Sequence, residues 1–226
     1  MLFFGGQMKS LMIGLTTLGF SVSPFFQSPS LPSGEKIAVE ERPVLAEKSL
    51  DLTTRNEDSW VSRVMADNIL LTLHFLKGDV GGEIDWERVR EPFSVSFTLE
   101  PGEAFAFHQD VLPEFEGKTV KTTGAIFHSD QGFKSDGYLF GDGVCHLASL
   151  MNWVASEAGL GVTAVVNHDF WPVPEIPREF GTSIYYLEGE SSTNQLQNLY
   201  LENTFNHPII FIFAIDSQEV KLKIVQ

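Results

Sequence analysis

Between Phe93 and Leu99 apolar and polar side chains alternate strictly, with Phe93, Val95, Phe97 and Leu99 set against Ser94, Ser96 and Thr98. A period of two places one set on a core-facing side of a strand, and Pro101-Gly102 ends it in a turn. Upstream the period changes. Trp60, Val64, Ile69, Leu70, Leu73 and Leu76 recur at helical spacing, with capping residues at Asn56 to Ser59 and Gly78 just past the end. Gly78 to Gly82 breaks this amphipathic helix, and Ile84 to Arg90 has room for another helical turn before Pro92. Phe105-Ala106-Phe107-His108 continues the sheet with aromatic weight, and the glycine-rich stretch from Gly117 to Gly137 reads as a long surface connection.

From Val144 to Ala158 the apolar residues again fall at helical spacing, until Gly159 stops the run. Short strands are expected at Val162 to Val166, Ile184 to Leu187, Leu199 to Glu202, Ile209 to Ile215 and Val220 to Val225. The last two flank Asp216-Ser217-Gln218 and so predict an antiparallel hairpin. The pattern defines an α+β fold. Its mostly antiparallel sheet carries a buried helix that starts at a Gly-x-Gly-x-Cys motif, and an N-terminal amphipathic helix precedes both.

Four segments follow from the changes of pattern. Lys9 and the apolar run Leu11 to Phe20 make residues 1–27 a signal peptide or short membrane anchor, which predicts export. Residues 28–56, rich in Ser, Pro, Glu and Lys, read as a flexible tether. Residues 57–92 form a helical lead-in and residues 93–226 the main domain. With 43% hydrophobic and 12% aromatic residues, the chain can build one sizeable core. A net charge of −15 opposes binding to nucleic acid or anionic lipid through their phosphates. The single cysteine excludes an internal disulfide and leaves a free thiol.

That thiol, Cys145, falls in the first turn of the second helix, among unpaired backbone N–H groups and the positive end of the helix dipole. Both favour thiolate over thiol. Gly141 and Gly143 would let a substrate approach the backbone closely. Asp142 would serve as an N-cap, while its charge opposes ionisation of the neighbouring thiol. Two histidines are candidate bases: His146, adjacent in the helix, and His168, at the end of the following strand and the better placed to face Cys145. Asp169 or Asn167 could orient that imidazole. His108 and Trp171 are candidate substrate-binding residues. The bland alternative is a buried thiol among ordinary histidines. Cys145, His146, His168 and His108 could also ligate zinc, but no paired Cys-x-x-Cys or His-x-x-x-His supports this, so neither metal nor other cofactor is expected.

Gly141-Asp142-Gly143-Val144-Cys145-His146 resembles the glycine-rich motif of VanW domains, which typically runs Gly-Gly-Gly-(Ile or Val)-Cys-Gln and leads into a helix ending Ala-Gly-Leu, here Ala158-Gly159-Leu160. Leu99 to His108, Asn167-His168-Asp169, Gly181-Thr182-Ser183 and Asn198 to Ile209 are similar to further family segments, in order, across residues 93–226. The departures are Asp142 for a glycine, His146 for the usual glutamine, and Val166 where a histidine often stands. VanW domains are linked with bacterial cell walls and some glycopeptide-resistance gene clusters, and some members are implicated as cysteine-dependent L,D-transpeptidases. The resemblance therefore implies an exported or extracellular protein of the cell envelope, with peptidoglycan stem peptides as partner. It makes Cys145 the nucleophile of an acyl-enzyme mechanism; a non-catalytic peptidoglycan-binding or accessory role is the alternative.

Overall fold

The computed structural model describes residues 42–138 and 140–226. The expected signal or anchor segment and the first part of the expected tether lie outside the described residues. The described chain is α+β, with two four-stranded sheets and two substantial helices.

The first helix, α1 (Ser59–Lys77), starts where Asp58 accepts the backbone N–H groups of Trp60 and Val61 at 2.7 and 3.2 Å. It ends at Gly78, whose φ of 77° only glycine adopts without strain. A short helix α2 (Trp86–Val89) occupies the expected extra turn.

The first sheet joins β1 (Val44–Asp51), β2 (Phe93–Leu99), β7 (Ile209–Ile215) and β8 (Glu219–Val225) in the order β1-β8-β7-β2, all antiparallel. The β7–β8 hairpin forms as expected, and its turn is closed by the Asp216 carboxylate accepting the N–H groups of Gln218 and Glu219. β1 is a correction, because it lies inside the segment read as tether. Only Ala46 and Leu50 are buried along it, too few to give a period. The strand is held instead by its ladder to β8 and by Glu47 facing Lys221 and Lys223.

The second sheet joins β3 (Ala104–Ala106), β4 (Val120–Thr122), β5 (Gly161–Ala164) and β6 (Leu199–Glu202) in the order β4-β3-β6-β5, parallel only between β3 and β4. The strand expected at Ile184 to Leu187 is absent. There Ser183 and Tyr185 donate to the carbonyls of Val166 and Gln197 rather than into a ladder. Phe97 stacks on Phe211 at 4.5 Å and on Phe105 at 4.9 Å, tying β2 to β7 and to the second sheet. α3 (Val144–Glu157) packs against β1, β8, β5, β6 and α1, burying Leu147, Leu150, Met151 and Val154 among them. The sequence motif thus begins an element surrounded on several sides, and every side chain of its first turn must meet protein.

Candidate functional site around Cys145

Gly143 is the N-cap of α3, with φ 96°, and it makes no side-chain capping bond. This corrects the expectation that Asp142 caps the helix. The Asp142 carboxylate instead accepts the N–H of Asp136 at 3.1 Å. The loop is fixed from the side of α1 by Asn68, whose amide donates to the carbonyls of Asp142 (2.9 Å) and Lys134 (3.0 Å) and accepts the N–H of Lys134. Gly141 also sits at positive φ, and a Cβ there would come within 3.0 Å of Phe127.

Cys145, Ser149 and Asn152 fall at i, i+4 and i+7 and form one polar stripe on α3. Each grips the segment that follows Phe180. The Asn152 amide donates to the Phe180 carbonyl and to Thr182 Oγ1, and Ser149 Oγ accepts the Thr182 N–H. Cys145 Sγ accepts the N–H of Ile184 at 3.3 Å, and its thiol reaches the Ile184 carbonyl at 3.5 Å.

The thiol is not the thiolate expected from its helix position. Its pKa is pushed up to about 11, first by burial and further by the Asp142 charge. The N–H groups of Ile184 and of Cys145 itself act the other way. Desolvation outweighs them because Cys145, itself half-buried, lies among the buried Val144, His146 and Leu147 in the first turn of α3.

Neither imidazole supplies a hydrogen bond to Sγ. His168 Nδ1 donates to the carbonyl of Trp171 at 3.0 Å, so that carbonyl, not Asp169 or Asn167, orients the ring, and Nε2 is left as the unprotonated nitrogen. Asn167 donates to the Arg178 carbonyl instead, and the Asp169 carbonyl accepts from Arg178. His168 packs on Phe170 and meets His146 edge to face, with centroids 5.9 Å apart. The two histidines therefore come together, but as a pair next to each other and not as a Cys–His dyad.

His146 is 2% exposed, and its Nδ1 has no partner among the described residues. Its pKa falls to about 3, through burial first and then the charges of Arg55 and His168. Burial also lowers the pKa of His168 and of His108. His108 is enclosed between Asn198, which meets its Nδ1, and the Gln197 carbonyl, which meets its Nε2, so its observed contacts are structural.

A histidine whose folded pKa is depressed from about 6.5 contributes stability above that value and loses it as pH falls toward the folded pKa. For His146 the loss between pH 7 and pH 4.5 is expected to be roughly 2–3 kcal/mol. Asp142 acts oppositely, since its pKa is raised to about 6 by burial and its ionisation cost is relieved as pH falls through that value. Urea unfolding at the two pH values should show a steep acid loss in the native chain and a shallower one in His146→Gln. Equal losses would remove His146 as the cause.

Val144 and Ile184, the chain neighbour and the hydrogen-bond partner of Cys145, line a cavity of about 210 Å³ together with Gly141, His128, Tyr138 and Tyr186. Tyr138 is 90% exposed at its mouth. His128, which carries no signal in the sequence, lines this cavity and bonds to the Tyr186 carbonyl. Trp171 is exposed and lines a different cleft, beside Arg55. Sequence reading passed over Arg55, since a lone arginine in a polar run carries no local signal, and it placed Ile184 only in an expected strand, with no link to the thiol. Among the described residues, no group of three or more His, Cys, Asp or Glu side chains converges as a metal ion would need.

The fold and site define an α+β domain organised around a cysteine in the first turn of a buried helix, with its sulfur turned onto a backbone segment beside a cavity. The family model described as VanW like protein matches residues 95–225, and the chain belongs to the VanW-like family. No curated protein and no solved structure matches the chain.

Proposed function

We propose that this chain is an exported protein of the bacterial cell envelope that acts on peptidoglycan stem peptides by cysteine-dependent acyl transfer of the L,D-transpeptidase type. The observation that carries the reading is the placing of the Ile184 backbone N–H on Sγ at 3.3 Å, with Ile184 also lining the adjacent cavity. Such donors stabilise negative charge on sulfur as the proton leaves. A thiol with a pKa of about 11 reacts as a neutral group whose proton is removed during attack, so a neutral imidazole is required.

His168, with Nε2 unprotonated, is the proposed acceptor. The Sγ–H proton passes to it, directly or through a water brought in with substrate, as sulfur bonds to the peptide carbonyl carbon. The C–N bond then breaks, the imidazolium returns the proton to the departing amine, and a thioester remains. An acceptor amine attacks the thioester, loses its proton to the same imidazole, and the thiol is regenerated by that proton.

Incubating the full chain with tetrapeptide stems is expected to give a mass adduct on Cys145 and a cross-linked or exchanged product, both lost in Cys145→Ala. Absence of adduct and product, with a working transpeptidase as control, overturns the reading.

A second reading is a non-catalytic binding or accessory domain of the envelope. It is favoured by the same sulfur, since Sγ bonded in both directions to Ile184 serves as a structural clip. Under it, Cys145→Ala retains stem-peptide binding and biological effect.

A further inference from the structure

Arg55 is the largest side chain fully buried in the described chain, and its guanidinium is 0% exposed. Nη2 meets the Glu175 carboxylate at 2.5 Å, while Nε and Nη1 have no partner among the described residues. A guanidinium taken out of water with donors unused is an unfavourable arrangement for structure alone. Its charge acts on His146, which carries an unpartnered buried Nδ1 and is met edge to face by His168. A nitrogen-rich group is thus assembled where one carboxylate supplies a single contact.

That carboxylate comes from an unusual place. Glu175 is one of two non-glycine residues at positive φ among the described residues, at 66°. Left-handed backbone is costly for a glutamate, so the loop is held there at the expense of local strain. Its side chain is 39% exposed, unlike the arginine it caps. Beside the pair a cleft of about 580 Å³ opens between Thr53, Thr54, Asn56, Trp171 and Pro174; Arg55 contributes to its wall, while the guanidinium, paired with Glu175, is closed off from solvent in the resting protein.

We propose that Arg55 is the binding site for the terminal carboxylate of a peptide ligand lying in this cleft, and that Glu175 occupies the ligand's place in the resting protein. The planar fork of arginine matches a carboxylate with two parallel bonds, which Glu175 does not satisfy. The Trp171 face supplies an apolar wall for the residue bearing that carboxylate. This does not depend on Cys145 being a nucleophile. On the acyl-transfer reading the ligand is the stem peptide's own C-terminus, and intact carboxylate binding without acylation would reject that reading alone.

The test uses the full chain, native and Glu175→Gln, melted in N-acetylglycine or its neutral amide at equal ionic strength. Glu175→Gln is expected to melt lower than the native chain. Added N-acetylglycine should restore it saturably, at about tenfold lower concentration than shifts the native chain, because the competing carboxylate is gone. The amide should do nothing. Titrating the same variant while following the imidazole resonances should move those of His146 and His168. A melting shift equal for acid and amide, or one that leaves both imidazoles unmoved, overturns the proposal. So does a shift that survives in Glu175→Gln with Arg55→Gln.

Discussion

Gly143→Ala is expected to destabilise the chain by on the order of 3 kcal/mol or more, enough to consume much of the stability of an ordinary domain. Two costs combine. The residue sits at φ 96°, where an L side chain is strained. A Cβ added there would also lie 2.5 Å from the Met65 carbonyl oxygen and 2.7 Å from its Cα. Met65 is in the interior of α1, so its backbone cannot give way without unwinding hydrogen-bonded turns. Gly78→Ala provides the control, since Gly78 shares the left-handed backbone at φ 77° but has open space around its Cβ position. That variant should lose only about 1 kcal/mol, from backbone strain alone. Urea unfolding of the two variants separates the terms, and equal losses would mean that the contact with α1 does not set the start of α3.

The same glycine marks how far sequence could be read here. Alternation at Phe93 to Leu99, the helical period of α1 and the hairpin at Asp216 depend on neighbours a few residues away, and those elements formed where the pattern placed them. β1 did not announce itself, because its partner β8 is some 170 residues distant and its stability comes from backbone pairing, which leaves no side-chain period. Ile184 illustrates the converse. Its apolar neighbours suggested a strand, but in the fold the polar stripe Cys145, Ser149 and Asn152 bonds to the segment instead.

For the site, the motif located Cys145, Gly141 and Gly143 but not their environment. Whether a first-turn thiol is activated depends on whether that turn faces solvent. The answer lies in how α1, the Gly141 loop and the Ile184 segment close over it, all contacts of long sequence separation. Arg55 was hidden for the same reason: its meaning comes from Glu175 and His146, which the fold brings to it from 120 and 91 residues away.

Cys145 is expected to alkylate slowly at pH 7 in the native chain and about 100-fold faster per unit time once unfolded, the ratio that a rise from 9.0 to about 11 implies for the thiolate fraction. Between pH 7 and 10 the native rate should climb tenfold per unit without levelling, whereas an ordinary cysteine begins to level near its own pKa. Two contributions are separable. Burial is removed only by opening the fold, but the charge of Asp142 can be removed by Asp142→Asn, whose amide oxygen retains the bond from the Asp136 N–H. Removing that charge lowers the thiol pKa, so the rate profile of Asp142→Asn should shift to lower pH while its melting temperature at pH 7 does not fall. Iodoacetamide kinetics followed by intact mass, on native and variant chains under the same buffers, measure both. A native rate at pH 7 matching the unfolded thiol would mean the first turn of α3 is open to solvent. If the variant profile does not move, desolvation alone sets the thiol. With the fold closed the sulfur waits as a neutral group, and substrate binding that brings the His168 imidazole or a water against it would supply what the resting site withholds.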